Sequence, residues 1–143
     1  MSAIIEEIQV LNILDHPNIV NHMETYDDVN LVFIGKFYIL FTQLIAFHSW
    51  GANVGDLKSA FNLCVVMEFI DGKPLFDEII SQKDQAFGEK RAIEYMKQLF
   101  QAINHCHANG VIHRDIKPEN IMLVNNDKIK LIDFGLSKIH NDT

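Results

Sequence analysis

Val111-Ile112-His113-Arg114-Asp115-Ile116-Lys117-Pro118-Glu119-Asn120, followed by Ile132-Asp133-Phe134-Gly135, decides the reading of this chain. The stretch spaces two carboxylates and a carboxamide in the way that metal-assisted phosphoryl transfer requires. Such transfer passes through a loose transition state, so catalysis rests on positioning, charge neutralisation and a base beside the attacking hydroxyl. Asp115 suits the base, Asn120 offers a neutral oxygen to Mg²⁺, and Asp133 offers a charged one. Magnesium takes a few hard protein oxygens and completes its shell with phosphates and water. Lys117 would balance charge on the group in transfer, and Gly135 gives the backbone room to turn after Phe134. The plain alternative is a short β-hairpin, 121–124 and 128–132, with Asn125-Asn126-Asp127 as its turn and incidental charges around it. Hairpin and site are compatible, because the hairpin would hold Asn120 and Asp133 near each other.

The order His-Arg-Asp, then Asn, then Asp-Phe-Gly matches the protein-kinase signature at every defined position. On these residues the chain resembles the eukaryotic serine/threonine protein kinases, and Lys117-Pro118-Glu119-Asn120 is similar to that branch rather than to tyrosine kinases. Leu14-Asp15-His16-Pro17-Asn18-Ile19, Leu75-Phe76-Asp77-Glu78-Ile79 and Asp133-Phe134-Gly135-Leu136-Ser137-Lys138 resemble the calcium/calmodulin-dependent and calcium-dependent group. The resemblance covers 1–30 and 62–143. It implies an α+β, truncated two-lobe kinase-like fold: a regulatory helix and part of the N-lobe in 1–30, then hinge and upper C-lobe in 62–143. It also implies roles. Glu7 would be the glutamate of the regulatory helix, acting with Asp115 and Lys117, and Leu11 a buried contact one turn on. Met67 would be the gatekeeper, Glu68 and Ile70 would bond adenine through their backbones, and Met122 would pack beneath its ring. His113 and Phe134 would stack in the spine that links the lobes. The implied cofactors are ATP and Mg²⁺, and the implied partner is a protein bearing a serine or threonine hydroxyl. Two positions depart from the family pattern: Pro74 stands where a glutamate often contacts ribose, and His22 where a leucine-like residue usually completes the spine.

No lysine or arginine precedes Lys36, so Glu7 has no upstream cation, and the family's glycine-rich loop and Val-Ala-Ile-Lys strand are missing from these residues. An activation segment with Ala-Pro-Glu is missing as well. Since the lysine–glutamate pair and the metal together gate kinase activity, these 143 residues taken alone are expected to show no phosphotransferase activity. The alternative is a non-catalytic, kinase-like binding or regulatory fragment. Joint retention of Asp115, Asn120 and Asp133 favours an enzymatic parent, because binding alone does not need all three.

The motif series is interrupted over 31–61 by an apolar, aromatic run, Leu31 to Trp50, and a polar stretch to Phe61. Setting 31–61 aside restores a hairpin from Tyr26 through Asn30 and Asn62 to Met67. Three origins compete. A genuine insertion at a loop tip costs only about 2 kcal/mol for three doublings of loop length. A membrane segment over 31–47 gains about 3 to 6 kcal/mol from its aliphatic and phenyl side chains but loses about 3 to Lys36, and sits at the short limit. Translated intervening sequence fits best an apolar run that breaks an otherwise regular series. An exposed run of this kind would be an aggregation hazard.

The net charge is −7, with Glu6, Glu7, Asp15, Glu24, Asp27 and Asp28 all preceding the first base. That balance argues against nucleic acid or an anionic membrane surface as the main partner and reads as a solvated acidic face. Cys64 and Cys106 lie in apolar settings and read as reduced thiols of a cytoplasmic protein. His105-Cys106-His107 is read as structural, because His-x-His on a helix turns the rings to different faces. Nothing at the amino terminus resembles a secretory signal, so the Asn141-Asp142-Thr143 sequon is expected to stay unmodified, and no EF-hand loop lies in these residues.

Periodicity predicts a helix over 3–14 with Ile4, Ile8 and Leu11 on one stripe and Glu7 off that stripe's centre, where it could face a nucleotide cleft, ended by Pro17. A second helix, 89–109, is predicted with Ile93, Met96, Phe100, Ile103 and His107 as its core stripe and Gly110 as its cap. Leu63 to Phe69 reads as a buried strand and Leu75 to Ser81 as a short helix.

Overall fold

Helix α1 (Ala3–Ile13) forms where the apolar spacing places it, and the chain leaves it before Pro17. The structure, a computed structural model, describes residues 3–26, 38–40, 64–125 and 127–140. The chain divides into two compact units, His22–Phe69 and a larger one made of Met1–Asn21 with Ile70–Thr143. Most of the 31–61 run lies outside the described residues, as does the side chain of Cys64.

The smaller unit is a three-stranded sheet of β1 (His22–Tyr26), β2 (Tyr38–Leu40) and β3 (Cys64–Met67) in the order β1-β3-β2. Val65, Val66 and Met67 are all buried, as befits a central strand covered on both faces. β1 runs antiparallel to β3 from His22 opposite Met67 to Tyr26 opposite Cys64, the pairing expected of a hairpin with 31–61 set aside. Tyr38–Leu40, inside the run weighed as a membrane span, is extended and paired to the other edge of β3. Among the described residues no helix is long and apolar enough to cross a membrane.

In the larger unit β4 (Gly72–Pro74) leads into α2 (Leu75–Ser81), then α3 (Glu89–Ala108), β5 (Val111–Ile112), a 3-10 turn (Pro118–Asn120), β6 (Ile121–Val124), β7 (Lys128–Leu131) and β8 (Lys138–Ile139). β6 pairs with β7 as the predicted hairpin and takes β4 on its other side. The strand β4 was not legible in Gly-Lys-Pro, residue types that strands usually avoid. A second ribbon, β5 with β8, brings the residues before His113 beside those after Gly135. The segment after α1 is bonded to β7: Val20 N–H donates to Leu131 O (3.0 Å), and Leu131 N–H donates to Asn18 O (2.8 Å).

Helix α3 turns a different stripe inward from the one predicted, while α1 meets its prediction in part. On α1 Leu11 is buried as predicted, with Glu7, Val10 and the following Leu14 beside it; Ile8 is only half-buried, Ile5 is exposed, and the side chain of Ile4 lies outside the described residues. On α3 the buried set is Tyr95, Leu99, Ala102 and Cys106, whereas Ile93 is 56% and Phe100 61% exposed. Apolar residues occupy two adjacent stripes of α3, so spacing alone could not choose between them. The stripe carrying small Ala102 and Cys106 lets the helix approach β5 and β7 closely, and Gln98 fixes it there by accepting from Ile129 N–H (3.0 Å) and donating to Asp127 O (2.8 Å). Gly110 ends α3 at φ +69°, a left-handed cap that favours glycine. Burial pushes the Cys106 thiol up to about 11. The rings of His105 and His16 pack at 5.2 Å. Among the described residues no cluster of three metal-binding side chains forms.

Candidate active site in the catalytic loop

The loop from His113 to Asn120 is held from three sides, all within the larger unit. Ribbon β5–β8 fixes its start, the 3-10 turn fixes its end, and Ile132 N–H donates to Asn120 O (2.9 Å), which sets Asn120 beside the residue preceding Asp133. His113 is buried and meets Phe134 edge-on at 4.6 Å. Its Nε2 donates to Ile132 O (3.2 Å) while Nδ1 accepts from Asp115 N–H (3.3 Å). That pattern requires a neutral ring, and burial holds its pKa below the ordinary value. His113 therefore ties the His-Arg-Asp loop to the Asp-Phe-Gly segment.

Asp115 receives Lys117 Nζ at 2.7 Å and Asn120 Nδ2 at 2.9 Å on Oδ2, and its backbone oxygen receives the same Nδ2 at 3.0 Å. The bond from Lys117 is the largest cause holding its carboxyl below the usual range, and the same bond raises Lys117. Asp115 is thus an ionised acceptor beside a cation, the state a base or hydroxyl-orienting group needs. With both Nδ2 protons committed, Asn120 keeps Oδ1 free of donors among the described residues. Asp133 is exposed, and its Oδ1 accepts only the Gly135 N–H among those residues, at 3.3 Å. One amide oxygen and one accessible carboxylate suit magnesium, which needs few protein oxygens.

Glu7 reaches the same place from α1. It is 4% exposed, and burial, then the charge of Asp133, raise its pKa. No hydrogen bond or ion pair reaches its carboxylate among the described residues. The Asp-Phe-Gly segment lies against it: a methyl group added at Gly135 would sit 3.3 Å from Asp133 Oδ1 and 3.7 Å from Glu7 Oε2.

Of the predicted site residues, Glu7, Asp115, Lys117, Asn120 and Asp133 therefore fall in one neighbourhood. The adenine set is divided: Met67 and Glu68 stand at the end of β3 in the sheet unit, while Ile70 and Met122 belong to the larger unit. Sequence reasoning missed three features. Arg114 (φ +68°) and Asp133 (φ +62°) are left-handed, a conformation that non-glycine residues adopt at a cost of about 1–3 kcal/mol where surrounding structure imposes it. Arg114 Nε donates to Leu136 O (2.6 Å), bracing the turn. Buried Glu78 binds both Lys73 and Arg91, the latter at 3.2 Å, and nothing local in the sequence distinguishes it from its exposed neighbour Asp77. A surface groove lined by Gly88, Glu89, Lys90, Arg91, Tyr95 and Asp127 opens at the start of α3 and contains none of the loop residues.

The sequence model of the protein kinase domain family matches residues 1–143. Among curated relatives, a probable serine/threonine-protein kinase MARK-C of Dictyostelium discoideum is 34% identical over 92% of this chain and 13% of its own length. A calcium/calmodulin-dependent protein kinase type 1 of Macrobrachium nipponense is 33% identical over 94% of this chain and 30% of its own. Calcium-dependent protein kinase 5 of Plasmodium falciparum is 34% identical over 92% and 18%. The chain thus spans less than a third of the length of each of these relatives. With the loop geometry and the full-length family match in agreement, the chain belongs to the protein kinase family and carries part of a kinase domain of the serine/threonine type.

Proposed function

We propose that this chain is the catalytic-loop portion of a protein that transfers the γ-phosphoryl group of Mg·ATP to serine or threonine hydroxyls of a protein substrate in the cytoplasm. The observation that carries it is the arrangement Lys117–Asp115–Asn120. One ionised carboxylate is held by a cation and an amide, and the amide oxygen is left over for metal. Asp115 accepts or orients the proton of the incoming hydroxyl, and Lys117 offsets charge on the phosphoryl oxygens. Asn120 and Asp133 would hold magnesium, which supplies charge neutralisation at the phosphates. In the full-length protein, Asp133→Ala should abolish phosphate transfer to a peptide, and near-normal turnover would remove the assignment.

One observation favours a second reading, a kinase-like binding module without turnover. Glu7 finds no cation among the described residues, whereas family activity depends on such a pair. The 143 residues alone are accordingly expected to transfer no phosphate. Magnesium-dependent labelling of any peptide by that purified polypeptide would refute this.

A further inference from the structure

We propose that Glu78 is a positioning residue for Asn120, a buried carboxylate that clamps the elements on which the end of the catalytic loop is seated. Its effect on turnover rests on the reading above; its effect on the loop does not.

Three observations carry it. Glu78 is a carboxylate on the short helix α2, 6% exposed, and its donors come from three directions. Lys73 of β4 meets Oε2, Arg91 of α3 meets Oε1 at 3.2 Å, and Gln82, just past the end of α2, donates to the same oxygen at 3.0 Å. The bond from Lys73 is the largest cause holding the carboxyl below the usual range. Second, the elements tied in this way are those that seat Asn120. β4 and α2 both pack on the 3-10 turn Pro118–Asn120, and both lie against β6, which begins at the next residue. α3 packs on β5 and β7, the strands that lead into the loop and toward Asp133. Third, Arg91 is itself held in place. Its Nε donates to Tyr95 Oη at 2.7 Å, and its guanidinium lies 5.0 Å from the centre of the Phe87 ring. A buried ion pair gives little net stability over an apolar pair, because lost hydration offsets the attraction. What this one supplies is direction. It sets how α2 lies between β4 and α3, and hence where the turn places the Asn120 amide that bonds Asp115 at 2.9 Å. A shift of about an ångström in such a framework can cost about a hundredfold in rate.

The test is hydrogen exchange of the full-length protein, read by mass spectrometry, with steady-state kinetics on the same samples. Glu78→Gln removes the charge, Lys73→Gln removes the β4 arm through a half-exposed side chain, and Asp77→Asn makes the first change on the exposed neighbour. The Asn120 N–H bonds Lys117 O at 2.9 Å, so its exchange reports the turn. Glu78→Gln and Lys73→Gln are expected to speed exchange of the peptide holding that amide about tenfold, while the β5 peptide exchanges as before and Asp77→Asn changes neither. A merely structural role would lower global stability and speed both peptides together. In the same two variants kcat should fall about tenfold, with the KM for ATP little changed. Should Glu78→Gln fail to fold, Lys73→Gln decides. Unchanged exchange at Asn120, equal acceleration in β5, or an unchanged kcat overturns the proposal. Inactivity of the unaltered protein would remove the kinase reading and leave the exchange rates to decide this one.

Discussion

Asp115 and Glu7 are carboxylates of the same unit with opposite surroundings. Asp115 finds Lys117 and Asn120 within its own loop, and its pKa falls. Glu7 sits on a helix face, meets Asp133 and no described cation, and its pKa rises. The difference teaches that a group whose partners lie a few residues away is completed by local sequence. A group carried on a helix depends on what tertiary structure brings to it.

The largest effect that can break this comparison is on chemistry. Asp115→Asn keeps shape and removes the base, so in the full-length protein kcat should fall by about 10²–10⁴, with the KM for ATP little changed. Steady-state kinetics reads both, and an unchanged kcat would make the completed loop ornamental. The framework beneath the loop comes next. Leu99→Ala, at 7% exposure on the buried stripe of α3, should cost about 2–5 kcal/mol. Phe100→Ala, one residue on and mostly exposed, should stay within about 0.5 kcal/mol. Denaturant unfolding of the pair distinguishes the observed helix face from the predicted one, and a reversed order would restore the predicted face. Gly110→Ala forces a left-handed alanine and brings its methyl group 2.9 Å from His140 O, for a loss of about 1–2 kcal/mol in the same assay.

The smallest effect is the sharpest on the comparison itself. Glu7 has a folded-state pKa above its ordinary value of 4.5, so the folded state holds its proton more tightly than the unfolded chain does. Its contribution is present below that value and is lost as pH rises through the folded pKa. Asp115 is the mirror case: its contribution is present above 3.8 and is lost as pH falls through its lowered folded pKa. The stability of Glu7→Gln relative to the unaltered chain should therefore improve as pH rises from 4 upward, while that of Asp115→Asn should worsen from low pH upward. Melting temperatures across pH check the two signs, and parallel trends would mean that the surroundings are not opposite.

The same contrast explains what could be read from sequence. Asp115, Lys117, Asn120 and Asp133 were legible because their spacing is local and their residue types are dictated by the chemistry. So was the hairpin that joins them, since its turn and alternating strands are local too. The stripe of α3 was not, because Ile93, Met96 and Phe100 repeat at the same helical steps as Tyr95, Leu99, Ala102 and Cys106, and only the packed neighbour decides between them. The depth of Glu7 was not legible, since helical spacing alone does not show that a carboxylate is buried in line with Val10, Leu11 and Leu14. The left-handed Arg114 and Asp133 left no signal, because neither residue type demands that conformation; the surrounding bonds impose it.

The most direct test of the account is a titration of the full-length protein with ATP, with and without Mg²⁺, alongside the Asp133→Asn variant. The account predicts that magnesium tightens nucleotide binding in the unaltered protein and has little effect in the variant. Equal binding with and without magnesium, or the same gain in Asp133→Asn, would contradict it.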